Sequence, residues 1–315
     1  MHARLTDDPF ADDADRSSLK QAKADVLVRT YPQAVAGLPM SFSFAPERAD
    51  RRSLPEVVMA DFVGTQPIKP HGAPGVAIFD HDGDGDLDLY VTNGPGAPNS
   101  LFSNQLAETG ELAFVDLAVA AGVAATDQDS SGVCYGDVDN DGDPDLYVMG
   151  RSEPNRLFEN LGNGTFADVT ALSGTAGGSL SATTCSFGDV NGDGLLDLFV
   201  GNSFDMATSI PIFIEPFALN ERNQLFVNTG GNVFVDDSVG SGIAAAQDIT
   251  WAVALVDVDQ DGDTDAVTAN DNAGMPFARD GGVDRGFIRI LKNDGGGNFT
   301  HQADTAAAIL ALPSG

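Results

Sequence analysis

Positive charge is scarce in this chain. Sixteen Lys and Arg stand against 47 Asp and Glu, giving a formal net charge of -31 over 315 residues. A surface this acidic cannot replace the counterions on a phosphate backbone, so nucleic-acid binding is excluded. Docking on anionic lipid is excluded for the same reason. Long apolar runs are missing as well, and none approaches the roughly 20 residues that cross a bilayer. The opening MHARLTDDPFADDADRSS has no apolar core of the kind a secretory signal needs. Neither G-x-S-x-G, HExxH nor a P-loop occurs. The four histidines are His2, His71, His81 and His301, and none reads as a general base.

What is present is apolar content sufficient for a core, 42% of residues, together with acids that are clustered rather than spread. Eighteen of the 47 acids fall in four nine-residue windows, within FDHDGDGDLDLYVTNG from Phe79, YGDVDNDGDPDLYVMG from Tyr135, FGDVNGDGLLDLFVGN from Phe187 and LVDVDQDGDTDAVTAN from Leu255. The first aspartates, Asp80, Asp137, Asp189 and Asp257, are 57, 52 and 68 residues apart, the scale of a four-stranded propeller blade with variable loops. After each window comes a short apolar run that reads as a strand buried on both faces. A second strand follows: NSLFSN from Asn99, NRLFEN from Asn155, NQLFVN from Asn223 or GFIRILKN from Gly286. Gly/Asn turns (LGNGT, TGGNV, DGGGN) close three of the hairpins, QLAETGELA replaces the turn in the first, and a last strand opens on Phe114, Phe166, Phe234 or Phe299.

The pattern predicts an all-β chain, a β-propeller of four-stranded blades near 75–120, 131–172, 182–240 and 250–303 within a domain 40–315. An extension 1–39, partly helical or disordered, precedes it. Strand-like pieces at 40–44 and 56–63 are expected to supply a closing strand or part of another blade.

Numbered from the first aspartate, positions 1, 3, 5 and 9 of the loops are Asp80, Asp82, Asp84, Asp88; Asp137, Asp139, Asp141, Asp145; Asp189, Asn191, Asp193, Asp197; and Asp257, Asp259, Asp261, Asp265. Position 6 is always glycine: Gly85, Gly142, Gly194, Gly262. Hard oxygen donors at alternating positions, with a glycine that lets the chain turn back, suit Ca²⁺ and its six to eight oxygens. Mg²⁺ ranks second because it demands tighter octahedral geometry. Zinc is disfavoured, since the loops hold no Cys and only His81, read as pointing outward from position 2. Position 7 carries Asp86, Asp143, Leu195 and Asp263, and Leu195 argues for a backbone carbonyl ligand there. Position 12 is Val91, Val148, Val200 or Thr268 inside a strand, which excludes an EF-hand. The alternative is that the windows are only polar turns. Four in register, each leading into a strand, weigh against it, and crowded carboxylates without metal would repel one another. Metal binding and folding are therefore expected to be coupled.

These motifs resemble the FG-GAP/VCBS repeat of integrin α propellers and of many bacterial surface proteins. D-x-[DN]-x-D-G-x-x-D, N-x-L-F-x-N and the F-x-D ending are most similar to the ASPIC/UnbV group, the bacterial relatives of cartilage acidic protein. The resemblance covers about 75–300. It implies calcium in the A–B loops on one propeller face, an extracellular or cell-surface setting, and an adhesive role towards protein or carbohydrate. Propellers of this family often have seven blades, and the chain stops where a fifth would begin, so it is expected to be part of a larger propeller without the C-terminal ASPIC/UnbV domain.

Long insertions fall on the opposite face, at 202–222 and 270–285. The first, with Ile212, Phe213 and Phe217, is the candidate partner-binding lip, set against the plainer reading that it packs on its own blade. Strand parity puts Cys134 and Cys185 on facing sides of neighbouring blades, so a disulfide is open to them, with two buried thiols the preferred reading. The competing function is a propeller enzyme, such as a polysaccharide lyase or a natural-product tailoring protein. A lyase would need Arg151, Arg156, Arg222, Arg279 and Arg285 to converge on a cleft, against the simpler view that they are scattered surface charges.

Overall fold

The computed structural model describes residues 75–94, 96–203, 221–245, 249–271 and 288–301. The extension 1–39, the pieces at 40–44 and 56–63, the proposed lip with Ile212, Phe213 and Phe217, and Arg279 and Arg285 lie outside these residues.

The described chain forms four antiparallel sheets of four strands, each in simple up-and-down order. The first contains β1 (Val76–Phe79), β2 (Asp88–Val91), β3 (Ser100–Asn104) and β4 (Phe114–Asp116). The second contains β5 (Ser130–Gly136), β6 (Asp145–Gly150), β7 (Arg156–Asn160) and β8 (Phe166–Asp168). The third contains β9 (Ala182–Gly188), β10 (Asp197–Asn202), β11 (Gln224–Asn228) and β12 (Phe234–Asp236). The fourth contains β13 (Ile249–Val256), β14 (Asp265–Asp271), β15 (Ile288–Asn293) and β16 (Phe299–His301).

The first strands of successive sheets lie side by side, β1 with β5, β5 with β9 and β9 with β13. Ser131 Oγ in β5 donates to the Ala182 carbonyl at 2.6 Å, and Thr183 Oγ1 in β9 donates to the Thr250 carbonyl. Backbones approach closely here: a Cβ on Gly75 would sit 2.6 Å from the Gly132 Cα, so only glycine fits. Four up-and-down sheets set round their first strands are propeller blades, as the repeat pattern predicts.

The second strands explain their apolar sequences. β6 and β10 are buried along their whole length. Alternate side chains serve opposite faces. Leu146 and Val148 pack with Phe79, Tyr90 and Leu101 of the first blade. Tyr147 and Met149 pack with Leu198, Val200 and Phe226 of the third. Phe199 and Leu225 in turn meet Ala266, Leu291 and Phe299 of the fourth. Among the described residues the core is thus three inter-blade layers, each fully buried large side chain contributing about 1.5–3 kcal/mol.

Cys134 in β5 and Cys185 in β9 are bonded, with Cα atoms 6.0 Å apart. This corrects the preference for two thiols. Side-chain alternation turns the two cysteines to facing sides of neighbouring blades, and the adjacent first strands bring them within bridging range.

Candidate metal centres in the aspartate loops

Each A–B loop is shaped by its own carboxylates. The position-1 aspartate turns the chain: its Oδ2 accepts from the position-6 glycine amide at 3.0 Å (Asp80–Gly85), 2.9 Å (Asp137–Gly142), 2.9 Å (Asp189–Gly194) and 3.1 Å (Asp257–Gly262). Those glycines have φ of 91°, 101°, 86° and 98°, a left-handed conformation that disfavours any side chain. At position 5, Asp84, Asp141, Asp193 and Asp261 each accept through Oδ1 from the position-7 amide at 2.9–3.1 Å.

The position-9 aspartate fastens loop to sheet. In each blade one oxygen accepts from the position-2 amide: His81 at 2.9 Å, Val138 at 2.9 Å, Val190 at 2.9 Å, Val258 at 3.1 Å. The other accepts from the amide of the asparagine ending the third strand: Asn104 at 2.9 Å, Asn160 at 2.8 Å, Asn228 at 2.8 Å, Asn293 at 2.9 Å. Asp88, Asp145, Asp197 and Asp265 are all buried.

That asparagine also clamps neighbouring blades, a role the N-x-L-F-x-N pattern displayed without revealing. Asn160 Nδ2 donates to its own loop (Pro144 carbonyl, 3.3 Å) and to the loop before it (His81 carbonyl, 3.0 Å). Asn228 does the same with Leu196 (3.1 Å) and Val138 (2.7 Å), and Asn293 with Thr264 (2.9 Å) and Val190 (2.6 Å). The hairpin turn of the following blade flanks each of the first three loops: a Cβ on Gly164 would sit 3.5 Å from the Asp82 Cβ, one on Gly297 3.6 Å from Val190, and Asn232 Nδ2 lies 3.4 Å from Asp139 Oδ2.

In three loops carboxylate oxygens of three acids come within 4.8 Å of one another: Asp80, Asp82 and Asp84; Asp137, Asp139 and Asp145; Asp257, Asp259 and Asp265. Asp84 also belongs to a second such group with Asp86 and Glu108, the latter from the helical turn Leu106–Thr109 that replaces the first blade's Gly/Asn turn. Among the described residues no such group forms at the third loop, where Asn191 Nδ2 donates to Asp193 Oδ2 at 3.0 Å. Asp82 Oδ1 and Asp86 Oδ1 are buried with no hydrogen-bond partner. Orphaned carboxylate oxygens beside further carboxylates fit a hard cation such as Ca²⁺.

Electrostatics point the same way. Burial pushes Asp145 up to about 7 and Asp197 to about 6. Burial also raises Asp82 and Asp139, with the charges of Asp84 and Asp141 respectively adding to it. A group that resists ionising in the metal-free loop is stabilised as an anion by a bound cation.

The expectation for His81 is corrected. Position 2 turns inward, as Val138 and Val190 show, and His81 is 2% exposed. Its Nδ1 lies 2.6 Å from Asp88 Oδ2. Burial alone would lower the His81 pKa, but the Asp88 hydrogen bond and the charges of Asp88, Asp82 and Asp80 outweigh it and raise it. Burial alone would raise Asp88, but the His81 ring and the His81 and Asn104 amides hold it below its usual range.

Each of the described second-face arginines is paired with an aspartate. Arg151 pairs with Asp129 at 3.7 Å, Arg156 with Asp127 at 2.8 Å and Arg222 with Asp236 at 4.0 Å.

Residues 80–148 and 137–200 match the model of the FG-GAP-like repeat, from the aspartate loop of the first blade into the second strand of the third. It is 32% identical to cartilage acidic protein 1 of Mus musculus over 135 residues, 40% of this chain and 21% of that protein. The matched part thus spans about a fifth of that relative. Among solved structures, a lectin of Agrocybe aegerita that recognises non-reducing terminal N-acetylglucosamine aligns with TM-score 0.38 and 17% identity, covering 71% of this chain and 49% of that one. A rhamnogalacturonan lyase of Bacillus licheniformis aligns with TM-score 0.37 and 12% identity, covering 72% and 50%. Among the described residues no helix is long and apolar enough to cross a membrane.

Proposed function

We propose that this chain is a calcium-dependent binding module, an extracellular propeller whose aspartate loops hold Ca²⁺ and whose other surfaces engage a protein or glycan. The observation that carries the calcium reading is the convergence of three carboxylates in each of three loops, with the unpartnered Asp82 oxygen among them. The ligands are the residues at positions 1, 3, 5 and 9: Asp80, Asp82, Asp84, Asp88; Asp137, Asp139, Asp141, Asp145; Asp189, Asn191, Asp193, Asp197; Asp257, Asp259, Asp261, Asp265. Calcium here is structural: it offsets repulsion among the acids and so holds one face of the blades together. The apolar residues Ile212, Phe213 and Phe217 are the proposed partner contact. The pairing of Arg151, Arg156 and Arg222 with separate aspartates favours a binding role over a lyase acting on acidic sugar.

The test is a thermal melt in excess EDTA, repeated while Ca²⁺ and then Mg²⁺ are titrated. A rise of many degrees that saturates at Ca²⁺ on the order of 10⁻⁴–10⁻³ M is expected of an extracellular calcium module. No shift with either ion refutes the proposal.

A further inference from the structure

The fourth loop differs from the others in one respect that the repeat pattern does not disclose. Lys292, on β15, turns its ammonium into that loop, contacting Asp259 Oδ2 and lying 3.6 Å from Asp261 Oδ2. Those are the acids at positions 3 and 5. Lys292 pairs with Thr300 across the last hairpin, and the same register position in the other blades holds Ser103, Glu159 and Val227. Among the described residues no lysine or arginine reaches the acids of the other three loops.

We propose that Lys292 is a tethered counter-cation of the fourth loop, offsetting part of its negative charge when metal is absent and competing with metal when it is present. The second half of this rests on the calcium reading above; the first half does not. The physical basis is direct. The ammonium already holds an oxygen that a metal ion would need, and it repels an incoming divalent ion at close range. The lysine stem has four rotatable carbons and can withdraw, so the site is weakened rather than abolished. The fourth loop therefore holds its acids together without metal and takes Ca²⁺ more weakly than it would without the lysine.

Two variants of the full chain test this. Lys292→Met keeps the stem and removes the charge, whereas Glu159→Lys places an ammonium at the same register position beside the second loop. Calcium titration calorimetry on Lys292→Met is expected to show one site tightened on the order of tenfold. Glu159→Lys should weaken one site by a similar factor. In EDTA, Lys292→Met should melt below the parent, because Asp259 and Asp261 lose their partner. Isotherms of Lys292→Met and parent that superpose, while the parent binds calcium, overturn the competition. An EDTA melting temperature unchanged by Lys292→Met overturns the counter-cation role, whether or not any form binds calcium. If the parent takes no calcium yet Lys292→Met melts lower in EDTA, the calcium reading fails and the counter-cation stands.

Discussion

Replacing Asn228 with Ala should destabilise the propeller far more than its place at the end of a strand suggests. The side chain is 1% exposed and makes three hydrogen bonds. Its Nδ2 donates to the Val138 carbonyl at 2.7 Å and the Leu196 carbonyl at 3.1 Å, and its Oδ1 accepts from the Gly230 amide at 2.9 Å. Truncation removes the donor from two carbonyls in different blades and the acceptor from one amide. Each buried orphan costs about 1–3 kcal/mol, so the sum is about 3–6 kcal/mol after partial rescue by water. Asn104 provides the internal comparison. Its Nδ2 donates to the Leu87 carbonyl at 3.3 Å, with no clamp to a preceding blade among the described residues, so Asn104→Ala should cost about half as much. Asn228→Asp should exceed the alanine variant, since it turns a carboxylate towards two carbonyls. The assay is urea unfolding in saturating Ca²⁺, followed by circular dichroism, with midpoints compared at constant slope. A loss below about 1 kcal/mol for Asn228→Ala, or equal losses at Asn104 and Asn228, would refute the inter-blade clamp.

Opening the Cys134–Cys185 bond, by reductant or by Cys134→Ser with Cys185→Ser, should lower stability by about 4 kcal/mol on the chain-entropy scale, because the bond closes 51 residues of chain. A reduced protein with an unchanged urea midpoint would contradict this. Metal-free protein should lose stability as pH rises from about 4 towards 7. Asp145 and Asp197 have folded pKa values of about 7 and about 6, above their unfolded value, so the folded state binds more protons across that window. The raised His81 extends the fall above its ordinary 6.5. Excess Ca²⁺ should flatten the profile, because only ionised carboxylates ligate; melting temperatures in EDTA that rise from pH 4 to 7 would reverse the sign and refute the assignment. His81→Val, which restores the residue type found at position 2 elsewhere, should leave the fold intact and make the slope above pH 6.5 shallower, the remainder coming from Asp145, read from the same EDTA melts.

Much of this architecture is legible in the sequence because it depends on period and on backbone chemistry. Doubly buried runs such as Leu146–Met149 can only be inner strands. A glycine six residues into every loop marks a left-handed turn. Side chains that act across strands or blades are harder to read. In the sequence His81 reads as outward-facing at position 2, whereas its side chain is buried. Valines at position 2 of the other three loops were the available signal that this position enters the core. The asparagine clamp is visible as a recurring letter, but its two acceptors lie 90 and 32 residues away in the Asn228 case. Lys292 is 33 residues from Asp259 and reaches it only because the third strand returns alongside the loop.

The four loops share one scaffold and face one electrostatic problem, and they resolve it differently. Positions 1 and 5 hold the loop to its own amides, while position 9 ties it to the sheet, so the fold draws acids together whether or not a cation is present. The first loop sets His81 against Asp88, and that carboxyl is held low. The fourth sets Lys292 against Asp259 and Asp261. The second and third place valine where His81 stands and Glu159 and Val227 where Lys292 stands, and there burial drives Asp145 and Asp197 up to about 7 and about 6. In those loops burial disfavours the ionised carboxyl, and a bound cation would offset that cost. The largest burial cost to ionising a position-9 carboxyl in the metal-free protein therefore falls in the two central blades. Those blades are also joined by the Cys134–Cys185 bond and the Asn228 clamp. The disulfide thus adds a covalent tie to the junction whose two blades carry the carboxyls that burial raises furthest.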